Sequence, residues 1–321
     1  MQNIVNKVKD IKFSEKKSSF KRLMLGNGVD SGWLHKAMIY FLLIVIGFVF
    51  VYPILYMLST ALMSNLDLAN FRVKWIPSSL YTDNITIALR ALALPKSLFT
   101  TIFIAGISTI FMVISSSLIG YGLARFEIPF KRVILVLLLL SYIMPKTLFL
   151  IPTYQIYTTL GLRNNIFGIL LPIMLGQGIQ GAFFILIFFQ FFKMIPKALE
   201  EAATIDGANS FVFFYKIAIR MAAPAIIIAS VFSFALYWNE IRLYTVYSNG
   251  QYQTIPMLLQ NLRDLYYAEV PRDTAVDPNL RFSEAKAYAG TLISIIPPII
   301  FFAIIQRWFV ESIDKSGITG E

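Results

Sequence analysis

The chain has 321 residues, 57% of them hydrophobic and only 14% charged, with a mean hydropathy of +0.67. This composition excludes an ordinary soluble domain and requires an integral membrane protein. The formal net charge is +10, and zero cysteines exclude disulfides, thiolate metal sites and cysteine catalysis.

Residues 1–37 form a basic arm carrying Lys7, Lys9, Lys12, Lys16, Lys17, Lys21 and Arg22. Such an arm orients the chain and lies near anionic lipid, and it is too short to suggest nucleic-acid binding. The apolar run behind it, 38–62, exceeds a signal-peptide core and is expected to stay as an uncleaved first span. His35, the single histidine, sits at the edge of that span beside Trp33, Leu34 and Lys36, which suits an interfacial and non-catalytic role.

Six segments are long and apolar enough to cross about 30 Å of hydrocarbon: 38–62, 97–123, 133–151, 166–192, 221–243 and 287–309. The expected fold is therefore an all-α membrane protein of six transmembrane helices. Its domains are a cytoplasmic arm over 1–37, a transmembrane domain over 38–309 and a cytoplasmic tail over 310–321. An even number of spans puts both termini on one face. The basic residues choose that face: eight in the arm, three in 124–132, four in 193–220, and Arg307 and Lys315 at the end account for 17 of the 28 Lys and Arg. By the positive-inside rule this face is cytoplasmic.

Ser115, Ser116 and Ser117 in the second span are expected to bond their own helix backbone. Tyr142 and Pro145 near the end of the third suggest a kinked helix lining a path. The fourth span contains Gly176-Gln177-Gly178-Ile179-Gln180-Gly181, three glycines and two amides at membrane depth, which weakens the helix. A bilayer tolerates that only against protein or water. Gln177 and Gln180, three apart, share a face and either line an aqueous route for a hydroxyl-rich solute or bond a neighbouring helix. Gln190 reads as structural.

Between the fourth and fifth spans lies Glu200-Glu201-Ala202-Ala203-Thr204-Ile205-Asp206-Gly207-Ala208. Pro196 suits the first turn of a helix, Lys197 and Glu201 stand at i,i+4, and Gly207 can adopt the positive φ that ends a helix. The small side chains of Ala202 and Ala203 let a partner come close, with Glu201 and Asp206 available for charged contacts. Glu200 and Glu201, being adjacent, point to different faces and form no carboxylate dyad.

The fifth span ends Tyr237-Trp238-Asn239-Glu240. Aromatic faces beside an amide and an acid suit a sugar, and they equally suit an interfacial aromatic belt. The segment 244–286 follows, with Tyr247, Asn249, Gln251 and Tyr252. The apolar cores of the six spans carry no ionisable residue, each of which would cost roughly 2.5–3.5 kcal/mol at the bilayer centre. No G-x-x-x-x-G-K-[ST] phosphate loop is present, and no catalytic set or metal-ligand cluster can be assembled. These absences point to transport driven by an energy source outside the chain.

The 200–224 pattern resembles the EAA motif of permease subunits in bacterial ABC importers. Glu201, Ala202, Ala203, Asp206, Gly207, Ala208 and Pro224 match, while Arg220 stands where the first of two prolines is usual. Further segments narrow the likeness to the maltose-type carbohydrate permeases. They are Gly120-Tyr121-Gly122-Leu123-Ala124-Arg125-Phe126 with Pro129 and Lys131 (Phe130 replacing a common glycine), Pro152 with Tyr154 and Leu160-Gly161-Leu162, Trp238-Asn239, and Gln306-Arg307-Trp308-Phe309-Val310.

The resemblance implies a type I ABC importer permease fold in the bacterial cytoplasmic membrane, pairing with a homologous second permease. Two ATPase subunits would dock at 196–220 through Glu200 to Ala208 and carry the ATP and Mg, with no cofactor bound by this chain. An extracytoplasmic solute-binding protein would deliver a carbohydrate, with oligosaccharide favoured over monosaccharide. A loop over 247–260 would reach into that protein or simply pack as a loop. A non-sugar ABC substrate, an ATP-independent facilitator or channel, and a scaffold without a solute path are the alternatives.

Overall fold

The computed structural model describes residues 33–270 and 277–315, with side chains as far as Trp308. Most of the expected arm 1–37, and the last residues of the expected tail 310–321, lie outside the described residues. Among the described residues there is no strand.

Three helices are each long and apolar enough to cross a membrane: α1 (Trp33–Ala61), α4 (Lys96–Arg125) and α16 (Glu284–Lys315). Between α1 and α4 lie the short α2 (Asn65–Ala69) and α3 (Asp83–Ala91). Next come α5 (Lys131–Ile143), α6 (Leu150–Thr159), α7 (Ile166–Met174), α8 (Gly181–Met194) and α9 (Lys197–Ile205). The chain continues through α10 (Ser210–Phe213), α11 (Ile219–Met221), α12 (Ala223–Trp238), α13 (Arg242–Ser248), α14 (Ile255–Gln260) and α15 (Leu262–Glu269).

Three expected spans are not single straight helices. The run 133–151 is broken after α5, and the segment beyond turns by 94°. Pro145 has no N–H to continue the ladder and holds Met144 in extended backbone (φ −66°, ψ 130°). The run 166–192 is split into α7 and α8 by 175–180, where Gly176 (φ +77°) and Gln180 (φ +56°) are left-handed. Glycine carries no penalty in that region, and Gln180 occupies it as the residue just ahead of α8. The fifth run begins with a 74° bend between α11 and α12 at Ala222, and it ends at Trp238 rather than 243. Pro224 fits the first turn of α12, where an N–H is not needed.

The core is built around α4, which lies between α8 and α12. Ile104, Met112, Phe184, Phe188, Phe192, Ala225, Ala229 and Tyr237 are buried there. At the α4–α8 crossing, a Cβ on Gly120 would stand 2.7 Å from Phe188 Cβ and 2.9 Å from the Phe189 nitrogen, so the backbones touch only because the glycine is there. As the sequence suggests, Ser115 and Ser117 donate to their own helix, to Met112 O (3.3 Å) and Ile114 O (2.9 Å). Helix α16 joins through Phe301, stacked on Phe234 with ring centroids 4.0 Å apart. Helix α1 is exposed along most of its length and reaches α16 through Tyr56 and Tyr288.

The end opposite α9 is held by polar groups. Asn84 donates from Nδ2 to Ala61 O (3.0 Å) and Met63 O (2.8 Å), satisfying carbonyls left free where α1 stops. Asn65 Nδ2 donates to Pro278 O (2.7 Å) and Arg281 O (2.8 Å). Asp67 is buried, accepting from the Ser78 hydroxyl and from the Ser64 N–H. The Ser78 bond, with the Ser64 bonds, holds its carboxyl below the usual carboxylate range against the opposing effect of burial. Lys286, 1% exposed, donates from Nζ to Asn279 O (2.8 Å) and Arg281 O (3.0 Å). It lies one residue before the last expected span, as a buried cation at the edge of apolar sequence.

Candidate functional site: the exposed loop and the broken helix

The helix–turn–helix expected at 196–220 is present. Helix α9 starts after Pro196 and is terminated by the turn at Gly207 (φ +83°), beyond its last residue Ile205, where the Ala208 N–H returns to Ala203 O at 2.9 Å. This return bond satisfies a terminal carbonyl and reverses the chain, as a glycine-ended helix requires. Asn209 then caps α10, its Oδ1 accepting from the Val212 N–H at 2.8 Å.

The two adjacent glutamates diverge as their spacing demands. Glu201 is exposed, whereas Glu200 is half-buried and pairs with Arg125 at 3.3 Å. Ala202 and Asp206 are exposed, Ala208 is half-buried, and Ala203 is buried in the chain's own core. Ala203 therefore serves internal packing, and Ala202 is the alanine open to a partner. The sequence reading missed four apolar side chains on this segment: Leu199, Ile205, Phe211 and Tyr215, with Ile205 87% exposed. Large apolar groups in a charged loop were the available signal.

The loop is fastened to the end of α4. Arg125 donates from Nη2 to Ile195 O at 2.7 Å as well as pairing with Glu200, and its Nε is buried without a partner among the described residues. One turn earlier the Tyr121 hydroxyl donates to Ser210 O at 3.3 Å. Its ring packs against Phe192 and Phe214, with centroids 5.4 and 4.8 Å away.

The second place is the break in the fourth run. Gln177 is exposed there, and Gln180 is half-buried with its Oε1 buried and unpartnered. The break is pinned from α12, where the Tyr237 hydroxyl accepts from the Ile179 N–H at 3.0 Å. Tyr142 is exposed and stacks on Phe183, centroids 5.8 Å apart.

The cluster at the end of the fifth run differs from expectation. Trp238 is 1% exposed and packs on Phe234, so it offers a free face neither to a sugar nor to a membrane interface. The same apolar helix that could present it outward instead turns it into the core. Asn239 is exposed, with Nδ2 bonded to Ala235 O at 2.8 Å, and Glu240 accepts from the Leu243 N–H at 2.8 Å at the start of α13. The four residues thus share no common face.

In the 247–260 segment, Asn249 (φ +47°) and Gln251 are exposed at a turn. Tyr247 is half-buried against Tyr157, centroids 4.7 Å apart, and Tyr252 is half-buried. From Thr254 to Pro256 the chain is buried, and the Ile255 N–H donates to Thr101 Oγ1 at 2.9 Å. A free loop therefore spans about 249–253 only.

A broken apolar bundle with an exposed, glycine-ended loop fits a membrane transport subunit, and sequence comparison agrees. The chain belongs to the binding-protein-dependent transport system inner membrane component family, whose model matches residues 116–315. Among similar proteins, the sulfoquinovosyl glycerol transport system permease protein SmoH of Agrobacterium fabrum is 26% identical, over 84% of this chain and 89% of its own. The trehalose transport system permease protein SugB of Mycobacterium tuberculosis is 28% identical, over 77% and 85%. A chain in the crystal structure of a bacterial ABC transporter involved in the import of the acidic polysaccharide alginate shares the fold, with TM-score 0.64, 24% identity and coverage of 86% and 96%.

Proposed function

We propose that this chain forms half of the translocation path of an ATP-driven, binding-protein-dependent carbohydrate importer in the bacterial cytoplasmic membrane. The observation that carries the reading is the α9 loop. It presents Glu201, Ala202, Ile205 and Asp206 outward while its other face is fastened to the core. A soluble ATPase would seat on that outward face and supply the ATP and Mg, and this chain would hydrolyse nothing.

Taking α5 with the segment beyond its bend, and α7 with α8, as single crossings would give six spans over 38–309. By the positive-inside rule, the basic arm and loops favour a cytoplasmic side for both termini and α9. A homologous second permease would complete the path. Carbohydrate is supported by the sugar-bearing solutes named for the two relatives, and an oligosaccharide is favoured. Gln177 and the unpartnered Gln180 carbonyl would meet its hydroxyls at the broken helix, with Tyr142 beside them. Asn249 and Gln251, on the opposite side of the membrane from α9, would face the solute-binding protein.

The test is ATP-dependent uptake in vesicles containing the complex, with its solute-binding protein and a panel of sugars, amino acids and phosphate. Uptake of a sugar that needs both ATP and the binding protein supports the reading. Uptake by this chain alone without ATP would make it a facilitator, and a non-sugar substrate would correct the cargo.

A further inference from the structure

The residues Tyr121 and Arg125 lie four apart on one face of α4, and each bonds a different end of the exposed loop. Arg125 holds the residue just before it, through Ile195 O at 2.7 Å, and the first helical turn, through Glu200 at 3.3 Å. Tyr121 holds the residue just after the turn, through Ser210 O at 3.3 Å. Glu200 is the only member of the loop's acidic pair turned inward, so Glu201 is left for outside contacts.

The Arg125 side chain is only 5% exposed, so its bonds form in a poorly solvated setting where charge-assisted hydrogen bonds are strong. Behind them, α4 touches α8 backbone-to-backbone at Gly120 and packs along α12, whose Tyr237 pins the broken helix at Ile179. A displacement of α9 therefore has a continuous, tightly packed route to the Gln177–Gln180 break.

We propose that Arg125, assisted by Tyr121, is a positioning residue that clamps both ends of the α9 loop to α4, so that ATPase movement is transmitted to the path rather than absorbed by the loop. This rests on the reading that α9 docks the ATPase. Arg125 need not touch ATPase or solute. Its role is to keep the loop and α4 moving as one body.

The experiment uses the full complex in nanodiscs and vesicles, with Arg125→Gln, Arg125→Lys and Tyr121→Phe. It reads three quantities: ATPase retained on purification, hydrolysis, and solute taken up per ATP hydrolysed. Arg125→Gln is expected to retain the ATPase yet lower uptake per ATP by about tenfold, the scale of losing charge-assisted hydrogen bonds. Arg125→Lys is expected to recover part of the loss, since an ammonium can reach Glu200 but cannot reproduce the fork to Ile195. Tyr121→Phe, which removes one hydroxyl and keeps the ring packing, should lower the ratio a few-fold and remains informative if Arg125→Gln fails to insert.

A wild-type uptake-to-hydrolysis ratio in Arg125→Gln, or in Tyr121→Phe where the glutamine variant is lost, overturns the clamp while leaving docking intact. Loss of the ATPase from Arg125→Gln alone also overturns it, by making Arg125 part of the docking contact. A wild-type complex that retains no ATPase overturns the docking reading and the clamp together.

Discussion

The hydroxyl of Tyr237 on α12 accepts the backbone N–H of Ile179 at 3.0 Å, near the α8 end of the interruption between α7 and α8. Two neighbouring helices are thereby joined at the point where the fourth run loses its own ladder. A broken helix at membrane depth survives only if such groups find partners. Tyr237→Phe leaves that N–H unsatisfied and should cost about 1–3 kcal/mol locally. Hydrogen exchange at 176–181 is the direct check: it should accelerate in the variant, with exchange in α1 unchanged.

Two glycines on α4 should behave oppositely. A Cβ on Gly120 would fall 2.7 Å from Phe188 Cβ, while one on Gly122 meets nothing within 4 Å. Gly120→Ala is expected to force α4 and α8 apart, destabilising by about 1–3 kcal/mol as overpacking does. Gly122→Ala should be neutral or stabilising by roughly 0.5–1 kcal/mol, because alanine restricts the unfolded chain within a helix. Thermal unfolding in detergent should lower the midpoint for the first substitution and not for the second.

The end opposite α9 should loosen in acid. Hydrogen bonds from Ser78 and Ser64 depress the Asp67 carboxyl, so its stabilisation is complete above the ordinary carboxylate value and is lost as pH falls through the lower folded value. Protease nicking of 70–81 should therefore rise below about pH 4, the ordinary Asp range. In Asp67→Asn the nicking should be higher at neutral pH and should lose that acid dependence.

The long helices α1, α4 and α16 were legible because apolar length is itself the physical requirement for a span. The breaks were legible where chemistry enforces them, at Pro145 and in the glycine cluster 176–181. Their extent was not, since it depends on Tyr237 reaching across from another helix. That Glu200 and Glu201 diverge follows from helix geometry, but which one turns inward depends on Arg125, seventy-five residues away in the chain. Trp238 reads the same in sequence whether it faces sugar, lipid or core, and only packing against Phe234 decides the matter. Lys286 sits in no motif because its partners are the backbone carbonyls of Asn279 and Arg281.

The most direct test is co-purification of an ATPase and a second permease with wild type and with Glu201→Lys, followed by hydrolysis with and without the loaded solute-binding protein. Glu201 is exposed, so its reversal should leave membrane insertion intact. Wild type is expected to bring down both partners, with hydrolysis stimulated by the binding protein. Glu201→Lys should weaken ATPase retention or its stimulation by about tenfold or more, since a like-charge contact at an interface costs upward of about 1.4 kcal/mol. Wild-type retention, stimulation and uptake in Glu201→Lys would contradict the placement of the ATPase on the outward face of α9.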